Sequence, residues 1–146
     1  VGHDCEVGDD VIFANNATLG GHVQVGRFAV LGGICAVHQK VRIGTGAMVG
    51  GMTGVEKDVI PYGSVIGDRA RLAGLNLVGL KRRGTAREAI HTVRACFRAL
   101  FSGEGSLTAR AEAARETFAG VAEAEEMIEF ILDDSSRAFC TPEQAV

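Results

Sequence analysis

Imidazoles stand at three points of this sequence where they could meet: His3 ahead of Asp4, His22 directly after Gly20 and Gly21, and His38 ahead of Gln39. An imidazole titrates near neutral pH and is also a common metal ligand, so a group of them would suit proton transfer or cation binding. A single exposed histidine is more simply a solvated surface residue. Asp4 could orient His3, although aspartate is also a routine turn residue. Gly20 and Gly21 leave the backbone beside His22 open to close approach. What decides between these readings is whether the fold brings the three histidines to one place.

The elements that must do so are written in sixes. From Val1 the chain divides into VGHDCE, VGDDVI, FANNAT, LGGHVQ, VGRFAV, LGGICA, VHQKVR, IGTGAM, VGGMTG and VEKDVI. Position one is aliphatic or Phe in all ten hexads, and position two is Gly in seven. Position five is small or β-branched throughout, from Cys5 to Val59. A period of six fits a parallel β-helix whose hexads each make one short side and one corner. Three hexads close a coil, and coils stack about 4.8 Å apart. Position one is expected to point inward with position five beside it, and the position-two glycine to relieve the turning backbone. His3, His22 and His38 then fall on corners of successive coils, near one edge. Ten hexads make little more than three coils, so further coils are expected ahead of Val1.

After Pro61 the pattern stops. The expected division is a β-helix over 1–66, a connecting loop over 67–84 and a C-terminal α-helical domain over 85–146. Thr85 to Glu88 reads as a capping box ahead of an apolar stripe at Ile90, Val93, Phe97 and Leu100. Helices over 108–119 and 122–133 follow, and the last dozen residues read as frayed. His91 is read as only a helix residue.

Composition narrows the function. A net charge of −3, one Tyr and no Trp give neither a basic footprint nor stacking platforms, which argues against nucleic acid. Cys5, Cys35, Cys96 and Cys140 lack metal-ligand spacing and read as reduced thiols of a cytoplasmic protein. No apolar run is long enough for a transmembrane segment.

The stretches HDCEVGDD, ANNATLGGHV, GGICAVHQ, MVGGMTGV and LNLVGLKRRG closely resemble the UDP-N-acetylglucosamine O-acyltransferases that open lipid A synthesis. The resemblance implies a left-handed helix and a homotrimer with its groove between protomers. It also implies transfer of a 3-hydroxyacyl chain from acyl carrier protein to the sugar 3-hydroxyl of UDP-N-acetylglucosamine. No cofactor is expected, and no metal, because the close H-x₄-H ligand pair of the metal-binding hexapeptide proteins is absent. His3 falls on the general base with Asp4 beside it, and Gly21 on the residue whose N–H stabilises the oxyanion. His22 falls on a substrate-site histidine, and His38 and Gln39 on positions lining the groove. Gly51 falls on the acyl-length ruler, and Asn76, Arg82 and Arg83 on nucleotide contacts. Val78 departs from an acidic contact, and GDRARLAG from the usual loop. The alternatives are another hexapeptide-repeat acyltransferase, a zinc-dependent carbonic anhydrase without its close H-x₄-H pair, and a non-catalytic trimeric scaffold.

Overall fold

The computed structural model describes residues 1–134 and 137–143. The chain forms two compact units, one of Val1–Asn76 with the segment that begins at Arg137, the other starting at Leu77.

In the first unit nine strands of two residues each occupy hexad positions six and one: β1 Glu6–Val7, β2 Ile12–Phe13, β3 Thr18–Leu19, β4 Gln24–Val25, β5 Val30–Leu31, β6 Ala36–Val37, β7 Arg42–Ile43, β8 Met48–Val49 and β9 Gly54–Val55. They stack in parallel as β1-β4-β7, β2-β5-β8 and β3-β6-β9, in a register that pairs Glu6 with Gln24 and Gln24 with Arg42. Leu19, Val25, Leu31, Val37, Ile43, Val49 and Val55 fill the interior from position one, with Val23, Ala29, Cys35, Val41 and Ala47 beside them from position five. Burying each of the larger side chains is worth about 1.5–3 kcal/mol. In the first coil the same positions, Val7 and Phe13, are exposed.

The corner does not work as the glycines suggest. The left-handed residue is at position four, where Asp4, Asp10, Asn16, His22, Phe28, Ile34, Lys40 and Met52 all have φ between 57° and 65°. Position two needs glycine for a different reason. A Cβ on Gly20 would lie 2.7 Å from the backbone N of Gln39, and one on Gly44 would lie 2.3 Å from that of Pro61. Stacked coils touch at these two glycines, where a side chain would push them apart, although Ala14 and His38 are accommodated at position two of other hexads.

The stretch 67–84, expected as a loop, is largely regular. β10 Gly63–Ile66 extends the second face, and β11 Arg71–Leu75 pairs with it antiparallel through an irregularity between Ser64 and Val65. Leu72 is buried from β11. α1, Leu77–Arg82, opens the second unit with Leu80 buried.

The end of the chain corrects the expectation of fraying wherever it is described. Residues 135–136 and 144–146 lie outside the described residues, but Arg137–Glu143 returns to the coils and not to the helices. Asp58 N–H donates to Ala138 O at 3.0 Å, Cys140 N–H to Asp58 O at 2.8 Å and Leu72 N–H to Thr141 O at 3.0 Å. The wholly buried Asp58 carboxylate accepts from Arg42 Nε at 2.7 Å, from the Arg42 backbone N–H at 2.9 Å and from Arg137 Nε at 2.9 Å. Arg42 also lies over the Phe139 ring. A buried carboxylate is tolerable only with such partners.

The second unit continues with α2 Arg87–Leu100, α3 Leu107–Thr117 and α4 Ala122–Asp133, which pack on one another. The capping box does not form: α2 is capped by Ala86 without a side-chain bond, one residue past Thr85. Its buried stripe is Ile90, Val93, Cys96 and Leu100, with Phe97 half-buried. α3 begins a residue earlier than expected because Ser106 accepts from Ala109 N–H at 3.1 Å. Among the described residues no helix is long and apolar enough to cross a membrane.

Candidate active site

The corner between the β3-β6-β9 face and the β1-β4-β7 face gathers the histidines. Residues 2–5, 20–23 and 38–41 stack there, joined by His22 N–H to His3 O at 2.9 Å and Lys40 N–H to Gly21 O at 3.0 Å. Because Asp4 and His22 both take the left-handed conformation at position four, their side chains leave the corner one above the other.

His3 Nδ1 is 2.9 Å from Asp4 Oδ2, and His22 Nε2 is 4.0 Å from the same oxygen. The two imidazoles meet edge to face with centroids 5.0 Å apart. A carboxylate only accepts, so the bond to Asp4 places a proton on Nδ1, and in the neutral ring the lone pair is then on Nε2. That atom lies directly over Gly21, where a Cβ would be 2.7 Å away. Position 21 must therefore be glycine for His3 to hold this pose. The Gly21 N–H has no hydrogen-bond partner among the described residues, a property of the corner that it shares with Gly33 and Gly51. The result is a base nitrogen, its orienting carboxylate and an open N–H donor on one exposed corner.

The remaining candidates are placed separately. His38 is exposed on the same corner one coil on, with Nδ1 at 3.2 Å from Gln39 O, and Gln39 is exposed beside it. Gly51 is not on this corner. It shares with Gly33 the corner between the β2-β5-β8 and β3-β6-β9 faces, a full face away from His3. Asn76 donates from Nδ2 to Gly46 O at 3.0 Å, tying the end of β11 to the coils. Arg82 ends α1 and Arg83 follows it, both in the second unit.

The second unit also holds a cleft of about 520 Å³ lined by Lys81, Thr85, Arg87, Ile90, His91 and Arg94. His91, read from sequence as an ordinary helix residue, belongs to it. The signal was present as Arg87, His91 and Arg94, which fall on one face of α2. The Asp58 cluster was also missed, since its partners are 16 and 79 residues away.

The chain is similar to proteins of one family along nearly its whole length. The sequence pattern of the family described as Udp N-acetylglucosamine O-acyltransferase, Domain 2, matches residues 58–140. The acyl-acyl-carrier-protein–UDP-N-acetylglucosamine O-acyltransferase of Sinorhizobium fredii is 44% identical over 97% of this chain and 53% of its own length. That of Rhizobium rhizogenes is 49% identical over 97% and 52%. The chain thus spans about half the length of the curated relatives it matches. The UDP-N-acetylglucosamine acyltransferase structure from Campylobacter jejuni superposes with a TM-score of 0.89 at 34% identity, covering 99% of this chain and 55% of that one. The Arabidopsis structure gives 0.87 at 37% identity, covering 94% and 51%. The coils are accordingly those of a left-handed parallel β-helix, as the hexads and their resemblance led us to expect. With the family pattern covering more than half of the residues and the same coils in the solved structures, the chain belongs to the UDP-N-acetylglucosamine O-acyltransferase family.

Proposed function

We propose that this chain supplies the catalytic corner of a cytoplasmic acyltransferase that moves a 3-hydroxyacyl chain from acyl carrier protein to the 3-hydroxyl of UDP-N-acetylglucosamine, opening lipid A synthesis. The observation that carries the reading is His3, with Nδ1 on Asp4 and Nε2 over Gly21. In this reading Nε2 takes the proton of the sugar hydroxyl as its oxygen attacks the thioester carbonyl. Asp4 stabilises the imidazolium so formed, and the Gly21 N–H donates to the oxyanion. The intermediate collapses by breaking the carbon–sulfur bond, and the departing thiolate recovers the proton from His3. His22, His38 and Gln39 line the same corner and hold the sugar and the acyl chain. The resemblance assigns Asn76, Arg82 and Arg83 individually to the nucleotide, guanidinium groups suiting its phosphates.

The working assembly is a homotrimer. Gly51, assigned to acyl-length selection, stands on a different corner from His3, so a groove that uses both needs a second chain. Ile34 and Met52 support the same reading, being exposed one above the other on Gly51's corner. Ile34 is a β-branched residue held at φ 60°, an unfavourable conformation for an apolar side chain left in water.

The test is His3→Ala in the purified protein carrying this chain. The His3 side chain is 75% exposed, so the fold should survive. We expect kcat to fall by about 10²–10⁴ with nucleotide-sugar binding nearly unchanged. Turnover close to the parent would remove His3 as the base, and a stable monomer in sedimentation would remove the intersubunit groove.

A further inference from the structure

The same corner has a second chemical capacity. We propose that His3, Asp4 and His22 form a reversible site for a divalent cation of the zinc type. One ligand atom from each lies within 4.8 Å of the others. Tetrahedral Zn²⁺ with bonds of ~2.0–2.2 Å sets its ligand atoms roughly 3.3 Å apart. Asp4 Oδ2 is already 2.9 Å from His3 Nδ1, and 4.0 Å from His22 Nε2. Closing round a cation asks for side-chain rotation only, because the backbone is fixed beforehand. Asp4 and His22 are both held left-handed, at φ 57° and 58°, and the rung from His22 N–H to His3 O joins their coils. Two imidazoles and one carboxylate favour Zn²⁺ over Mg²⁺, which prefers an all-oxygen octahedron. The fourth position stays open to water. The sequence expectation of no metal turned on the missing H-x₄-H pair, whereas here the third donor is Asp4.

All three ligands are exposed, so the cation enters freely and leaves freely. Occupancy would take a nitrogen of His3 and the Asp4 oxygen that orients it, so a bound cation and the free His3–Asp4 pair exclude one another. The proposal stands apart from the acyl-transfer reading, because its readout is binding and not turnover.

The experiment titrates Zn²⁺ into the purified chain in competition with a chromophoric chelator, with Mg²⁺ as comparator and a melting curve for each variant. We expect one Zn²⁺ per chain and no competition from Mg²⁺. Asp4→Asn and His22→Asn should each weaken binding at least about tenfold, which is about 1.4 kcal/mol. Asparagine accepts the left-handed conformation, so both variants should melt like the parent. Cys5, two residues from His3, is the competing donor, and Cys5→Ser should leave the affinity unchanged. The proposal is overturned if the chelator retains all the zinc, if His22→Asn binds as the parent does, or if Cys5→Ser removes the binding.

Discussion

Adding one methyl group at either of two neighbouring glycines should separate chemistry from stability. A Cβ on Gly21 would lie 2.7 Å from His3 Nε2, 2.9 Å from Cε1 and 3.1 Å from Cδ2, against 3.4 Å for ordinary contact. The obstacle is an exposed side chain, and Gly21 is not left-handed, so the backbone can accept alanine. The imidazole must retreat by about 0.7 Å, and the bond to Asp4 goes with it. A misplacement near 1 Å is worth on the order of 10²-fold in rate, and a hindered oxyanion donor adds a similar factor. Gly21→Ala should therefore lower kcat by about 10²–10⁴ while the melting temperature stays close to the parent's. Gly20→Ala should do the reverse. Its Cβ would lie 2.7 Å from Gln39 N and 3.1 Å from Gln39 Cα, which are backbone and cannot step aside. Overpacking of that kind costs about 1–3 kcal/mol. Steady-state transfer assays with parallel thermal melts on both variants decide the matter. A Gly21→Ala protein with the parent's turnover, or one that loses rate only because it melts early, would refute the placement of His3.

Gly51→Met should fold normally, since its Cβ would meet only Gly33 O at 3.4 Å and its φ is not left-handed. It should shift acyl preference toward shorter chains at about 0.8 kcal/mol per excluded methylene, and a uniform loss across a series of carrier-bound chains would argue against the groove. Arg137→Ala should cost about 3 kcal/mol in urea unfolding by leaving Asp58 with Arg42 alone, and Asp58→Asn with Arg137→Met should recover much of it. Burial pushes the Cys96 and Cys140 thiols up to about 11 from an ordinary 9.0. At pH 8 an alkylating reagent should consequently take Cys5 first. The unfolded chain gives up these protons near pH 9 and the folded one near pH 11. Stability should therefore fall across that interval by at most on the order of 3 kcal/mol per thiol and level off above it.

How much of this could be read from the sequence depends on whether a feature repeats. Inward positions recur every six residues because every coil faces the same interior, so the hexads announce the β-helix and the edge shared by His3 and His22. The left-handed residue recurs as regularly but is invisible, because position four carries Asp, Asn, His, Phe, Ile, Lys and Met. The backbone rungs impose the conformation there whatever the side chain. Glycine is conspicuous at position two, where its work is close approach and not turning. β11 escaped because Arg71–Leu75 is five residues long with Gly74 inside it, too short to show an alternation. The local signal points to a cap at Thr85, one residue ahead of the observed Ala86. The Gly21 fit to His3 could not be read at all, since it depends on side-chain packing between coils.

The return of Arg137 to Asp58 sets an order of events during synthesis. The helical unit is inserted in the chain between the coils and the segment that closes them, with 79 residues separating the two partners. At a ribosomal rate of about 5–20 residues per second, Asp58 is made roughly 4–16 s before the guanidinium that completes its neutralisation. During that interval the last coil can use Arg42 alone, and its Asp58 backbone rung lacks the partners at Ala138 and Cys140. A nascent chain is therefore most vulnerable to misassembly at its final coil, and truncations before Arg137 should recruit chaperones or proteases even though every hexad is present.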